Sequence, residues 1–78
     1  MNEYIDIILT DKLPKTNIYM VYNNKNYATL GYIKWYGGFR KYCFFPQPDT
    51  IFETKCLHHI IAYINKLMEE RKCLKKKN

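Results

Sequence analysis

Residues 27–45 read YATLGYIKWYGGFRKYCFF, two runs of aromatic and β-branched residues joined by Gly37 and Gly38. Such runs suit a pleated, half-buried strand. A Gly-Gly pair between them signals a two-residue hairpin, because both central positions of that turn need a left-handed backbone. Strands are therefore predicted over 27–36 and 39–45. With the turn at 37–38, Tyr36 pairs with Phe39, Trp35 with Arg40, Lys34 with Lys41, Ile33 with Tyr42, Tyr32 with Cys43, Gly31 with Phe44 and Leu30 with Phe45. Gly31 opposite Phe44 would leave room for the ring.

Upstream, NIYMVY at 17–22 reads as a strand and the asparagine-rich stretch 23–26 as a turn, since Asn tolerates the left-handed region. If Asn24 and Lys25 centre that turn, Met20 pairs with Thr29 and Ile18 with Gly31. EYIDIIL at 3–9 is a further strand, and Pro14 marks the loop after it. Downstream, PQPD at 46–49 stops the last strand. Cys56, Leu57, Ile60, Ile61, Ile64, Leu67 and Met68 then recur at helical spacing in one apolar stripe. Thr54 is the expected cap. The order predicts an α+β fold: an antiparallel sheet of three to four strands with one C-terminal helix packed on one face. One domain is expected over residues 1–71, with 72–78 a basic, frayed tail.

Alternation then divides the side chains. Ile18, Met20, Ile33, Trp35, Tyr42 and Phe44 form the face that meets the helix, with Ile60 and Ile64 buried against Trp35 and Phe44. Tyr19, Leu30, Tyr32, Lys34, Tyr36, Phe39, Lys41 and Cys43 form the other. The binding surface is predicted there, on Tyr19, Tyr32, Lys34, Tyr36, Phe39, Arg40 and Lys41. Lys34 directly opposite Lys41 is unfavourable unless the face is solvated or an anion answers it. Tyrosines interleaved with lysines on an open sheet offer the stacking and charge used by single-strand binders.

The charge distribution points the same way. The chain carries a formal charge of +6, and residues 12–48 hold Lys12, Lys15, Lys25, Lys34, Arg40 and Lys41 and no acid. A second basic block, Arg71, Lys72, Lys75, Lys76 and Lys77, ends the chain. Such blocks suit a polyanionic partner. Lys, Asn, Ile and Tyr also share A- and T-rich codons, so a compositional bias in the genome explains the lysines equally well.

Several functions are disfavoured. At 78 residues the chain builds a thin core with little room for a large pocket. It contains no serine, which removes serine nucleophiles. Gly31, Gly37 and Gly38 are its only glycines and make no phosphate loop. Cys43, Cys56 and Cys73 are odd in number and widely spaced, which favours reduced, packed thiols over disulfides or zinc. Cys56 with His59 offers half a metal site and no second half. A Cys43 thiolate with His58 or His59 lacks an orienting third group. No metal, cofactor or catalytic residue is expected, and the protein is read as a non-enzyme. No apolar run reaches the ~18–20 residues of a membrane helix, and Glu3 and Asp6 contradict a secretory leader. A place in the host-cell cytoplasm, with no membrane partner, is expected.

The stretch 30–46, LGYIKWYGGFRKYCFFP, together with the helix beginning Cys56-Leu57, resembles a family of small uncharacterised phage and prophage proteins. Their LG-x-I-K-W-Y strand, R-x-Y-C-F-F-P strand and C-L-initiated helix align with residues 30–68. Where these proteins tend to carry a second tryptophan at the hairpin tip, this chain has Phe39, so its tip is expected to recognise something different. The resemblance implies a phage or mobile-element origin and brings no catalytic residues. Two functions follow as expectations. One is stoichiometric inhibition of a host anti-phage defence protein or nucleoprotein, in the manner of anti-CRISPR proteins. The other is direct binding of DNA, RNA or a nucleotide ligand. A homodimer is left open, with Tyr4, Ile5, Ile7 and Ile8 as the edge strand that would build it.

Overall fold

A computed structural model describes residues 4–76, with side chains through Lys72. Four strands, β1 (Ile5–Lys12), β2 (Asn17–Asn23), β3 (Thr29–Tyr36) and β4 (Lys41–Pro46), precede one helix, α1 (Thr54–Lys76). The strands form an antiparallel meander in the order β1-β2-β3-β4. The helix covers one face and runs closest to β4. The α+β sheet with a single C-terminal helix is thus as expected. The helix runs through Lys76 and so includes residues 72–76 of the expected basic tail. The rest of the expected tail, 77–78, and the side chain of Cys73 lie outside the described residues.

The loops set the register, and two of them differ from the sequence reading. The β3–β4 connection is a four-residue loop over 37–40, with Tyr36 paired to Lys41, Lys34 to Cys43 and Ile33 to Phe44. Neither glycine takes a positive φ; Arg40 does, at 54°. Gly38 is needed for a different reason, since a Cβ there would sit 2.6 Å from the Tyr36 ring. The slip relative to the expected hairpin is two residues, so it preserves the faces. It removes the direct Lys34–Lys41 opposition. Gly31 now faces Pro46 in register, yet it still makes room for Phe44, whose ring would lie 2.7 Å from an added Cβ.

The β2–β3 loop has the larger consequence. The Asn23 Oδ1 accepts the amide N–H groups of Lys25 and Asn26 at 2.8 and 3.2 Å, and the Asn26 Oδ1 accepts that of Ala28 at 2.9 Å. These side-chain turns stabilise a longer loop, closed by Tyr27 with φ of 62°. Met20 consequently pairs with Tyr32 rather than Thr29. That slip is three residues, and an odd slip inverts a strand. Tyr19 and Val21 therefore point to the helix, while Ile18 and Met20 point away. The expected placement of Tyr19 on the open face, and of Ile18 and Met20 in the core, is corrected accordingly.

The core comprises Ile5, Tyr19, Val21, Ile33, Tyr42, Cys56, Ile60 and Leu67, with Trp35, Phe44, Phe52, Tyr63, Ile64 and Leu30 packed against it. It is unusually aromatic. Tyr63 meets Tyr19 edge-on at 5.4 Å, Tyr19 meets Tyr42 at 6.2 Å, and Tyr42 meets Trp35 at 5.6 Å. Edge-to-face pairs of this kind add to the burial of their surface. Ile5 is buried in the core, while β1 as a whole forms one edge of the sheet. Leu57 and Ile61 were expected in the buried stripe but are exposed; Ile64 is half-buried. The helix rotates to bury Cys56, Ile60, Tyr63 and Leu67, because Tyr63 reaches Tyr19.

The helix cap is also displaced from the expected residue. The Glu53 carboxylate accepts the Cys56 N–H at 2.7 Å, and the Glu53 carbonyl accepts the Leu57 N–H at 3.1 Å. Glu53 is therefore the N-cap and Thr54 the first helical residue. Partial burial pushes the Glu53 carboxyl up, but the amides of Lys55 and Cys56 outweigh it and hold it below the ordinary range.

Two predictions follow from this packing. Ile60 is 3% exposed and Ile61 53%. Ile60→Ala should cost about 2–5 kcal/mol in urea unfolding, whereas Ile61→Ala should stay within about 0.5 kcal/mol of the parent. For Glu53, the folded state favours the charged carboxylate. Its stabilisation is complete above the ordinary carboxylate range and is lost as the pH falls through the lowered folded value. The melting temperature of Glu53→Gln should therefore lie below the parent's at neutral pH. The difference should shrink as the solution is acidified.

Candidate binding surface

With one helix on a four-stranded sheet, the second face has no covering layer among the described residues. Alternation places Asp6 and Ile8 of β1, Ile18, Met20 and Tyr22 of β2, Tyr32, Lys34 and Tyr36 of β3, and Lys41, Cys43 and Phe45 of β4 on it. The register lines up Ile8 with Met20, Met20 with Tyr32 and Tyr32 with Phe45. An apolar row therefore crosses all four strands.

The β3–β4 half carries the charge. The Lys34 Nζ lies 4.6 Å from the Phe45 ring centroid, a cation–π contact. Tyr36 meets Phe45 edge-on at 6.3 Å and Phe39 at 5.1 Å. Phe39 is 67% exposed at the loop tip. Arg40 and Lys41 are exposed beside it. The opposite edge is acidic. The Tyr22 hydroxyl donates to Asp6 at 3.5 Å, and its ring stacks on Tyr27 at 6.2 Å. Partial burial, and then the Asp6 carboxylate, push the Tyr22 hydroxyl above its ordinary value. The surface thus grades from acidic at β1 to basic at β4.

Of the predicted site residues, Tyr32, Lys34, Tyr36 and Lys41 share this face, with Phe39 and Arg40 at its rim. Tyr19 does not: it is 8% exposed and lies on the far side of the sheet. The lysines sit on neighbouring strands without facing each other, so the like-charge opposition inferred from the hairpin is absent. Sequence reading omitted Phe45, Met20 and Ile8. Phe45 was accessible to it, because it alternates with Lys41 and Cys43 along β4. Met20 required the true β2 register.

The residues read as chemically suggestive do not converge. Cys43 lies on the uncovered face, donating its thiol to the Lys41 carbonyl at 3.7 Å, while His58 and His59 are on the helix behind the sheet. Cys56 is buried, and burial followed by the nearby Glu53 carboxylate pushes its thiol up. His59 lines a groove of about 310 Å³ between α1 and β1 with Asp6, Ile7, Ile8, Tyr22 and Tyr63. Among the described residues, no three His, Cys, Asp or Glu side chains gather to hold a metal ion. Nor is any helix among them long and apolar enough to cross a membrane.

No family model matches the chain, and no solved structure matches it significantly. A curated protein does: an uncharacterized 9.3 kDa protein of Acholeplasma phage L2 is 47% identical over 58 residues, covering 74% of each chain. Identity at that level over that span carries the fold with it, so a small α+β phage protein is what the two sequences share, and this chain belongs to the family of that phage protein.

Proposed function

We propose that the protein is a non-enzymatic phage binding protein that acts by stoichiometric occupation of a partner, with the uncovered sheet face as its contact surface. The partner is a host anti-phage defence complex containing nucleic acid, which the protein blocks in the manner of anti-CRISPR proteins. The observation that carries this reading is the row Ile8–Met20–Tyr32–Phe45 lying uncovered beside Lys34, Tyr36 and Lys41. An apolar centre with aromatic anchors and a charged rim is how stable protein interfaces are built. The basic β4 edge suits the phosphates of a nucleoprotein. On this reading the strand pair LG-x-I-K-W-Y and R-x-Y-C-F-F-P is the platform the family shares, and Phe39 at the tip sets what this member recognises.

A second reading, direct binding of single-stranded DNA or RNA, has its own support. Tyr32 and Phe45 face each other on neighbouring strands with Lys34 alongside, an arrangement able to stack successive bases. The Lys34 ammonium already occupies one side of the Phe45 ring, which favours the protein-interface reading.

The double variant Lys34→Glu with Lys41→Glu should abolish partner capture and leave the melting temperature nearly unchanged, because both side chains are exposed. Truncation after Arg71 should weaken capture only modestly, and chiefly at low salt. An active double variant beside an inactive truncation would move the contact to the C-terminal basic block. Naked oligonucleotides decide between the two readings. Tight binding with a steep salt slope would establish the second; weak binding combined with capture of an intact nucleoprotein supports the first.

A further inference from the structure

We propose that the cavity between the β1–β2 loop and the end of α1 is a binding site for a phosphoryl group. The site lies on the helix side of the sheet, away from the uncovered face, and does not depend on the reading above. The cavity has a volume of about 200 Å³, and its lining includes Asn17, Tyr19, Tyr42, Leu67 and Arg71.

Its polar groups are mismatched in a specific sense. The Asn17 backbone N–H donates to the Tyr42 hydroxyl at 3.1 Å, and the Asn17 side-chain amide donates to the Tyr19 hydroxyl at 3.2 Å. Both phenol oxygens are therefore acceptors of one bond, and each keeps its own proton to donate. Arg71 donates through one terminal nitrogen to the Lys15 carbonyl at 3.2 Å, and its guanidinium lies 4.1 Å from the Trp35 ring centroid. Its Nε–H is buried and has no acceptor. Among the described residues no carboxylate pairs with this guanidinium. The cavity is thus lined by two phenols that each keep a proton to donate and by a guanidinium with no carboxylate partner among the described residues.

An oxyanion with several acceptor atoms answers such a set. Arg recognises phosphate through directional N–H bonds, and charge-assisted bonds of this kind are the strong ones. The rim carries Lys15 and Glu70, both exposed; the lysine favours an anion, and Glu70 can accept from a hydroxyl next to the phosphoryl group. The volume is below the ~300–1,000 Å³ typical of sites that enclose a drug-sized ligand. It admits an end group rather than a whole molecule. The phosphoryl group can belong to the terminus of a nucleic-acid strand or to a free nucleotide.

The test is a titration of the full chain with inorganic phosphate at constant ionic strength, followed by the amide and arginine Nε–H resonances. Saturable shifts of the Asn17 amide and the Arg71 Nε–H are expected, with no response to chloride. Arg71→Gln should weaken binding about tenfold or more. Because Arg71 also stacks on Trp35, Tyr19→Phe provides an independent check: it removes one donor and keeps the ring, and it should weaken phosphate binding while preserving the dispersed spectrum. A 5′-phosphorylated oligonucleotide saturating at lower concentration than a mononucleotide assigns the site to strand ends, and the reverse order assigns it to free nucleotides. Unmoved Asn17 and Arg71 resonances, or tighter binding of acetate than of phosphate, would overturn the proposal.

Discussion

The side chain of Asn23 governs the arrangement of the sheet. By accepting two amide protons from the following loop it holds the chain back before β3 begins, and that loop length decides which β2 residues face the helix. With the register it imposes, Val21 and Tyr19 meet Gly31 and Ile33 across the strand pair. A loop shorter by an odd number of residues would send Tyr19 to solvent and Met20 inward. The aromatic chain from Tyr63 through Tyr19 and Tyr42 to Trp35 exists only in the observed register. So does the helix rotation that buries Cys56, Ile60 and Leu67 and leaves Leu57 and Ile61 outside. A few local hydrogen bonds thus select among packings that hydrophobicity alone would leave close in energy.

A second constraint is geometric. One helix covers one face of the sheet, and among the described residues no further element covers the other. Side chains on the bare face protect one another as far as they can: Lys34 lies over Phe45, Tyr36 meets Phe39 and Phe45, and Tyr22 stacks on Tyr27. These contacts run along the surface and leave Ile8, Met20 and Tyr32 aligned beneath solvent. A fold that needed only to be stable would place more charge at those positions. The aromatic and apolar content of the bare face is the feature on which the proposed partner contact rests.

Element types and order were legible because they depend on local composition and period. The apolar stripe gave the helix, and β-branched runs broken by Asn, Pro and Gly gave four strands. The faces of β3 and β4 were legible too, since the error at Gly37-Gly38 was an even slip; Leu30 is the exception, expected on the open face but packed against the core. What escaped was non-local or conformational. Gly-Gly implied positive φ at the turn, whereas Arg40 adopts it and Gly38 instead makes way for the Tyr36 ring. Two nested asparagine turns lengthened the β2–β3 loop by an amount that composition does not encode. The same error moved Tyr19 from the candidate surface to the core. The donor cluster around Arg71 was invisible for another reason: its members come from β2, β4 and α1, and no spacing in the sequence links them.

Tyrosine at buried positions connects the core to that cluster. A phenylalanine core would satisfy packing and leave no polar debt, but each tyrosine brings a hydroxyl that must emerge somewhere. In Tyr19 and Tyr42 both hydroxyls emerge at the same end of the sheet, where Asn17 donates to both and, among the described residues, no acceptor meets their protons. Arg71, held by the Lys15 carbonyl and stacked on Trp35, brings a cation to the same place. The aromatic contacts that fix these rings also fix the direction of their hydroxyls, so the donors are set before any ligand arrives, and little side-chain freedom is lost on binding. The core that β2 register creates is in this way also the scaffold of the cavity, and a change that displaced Tyr19 would be felt in both.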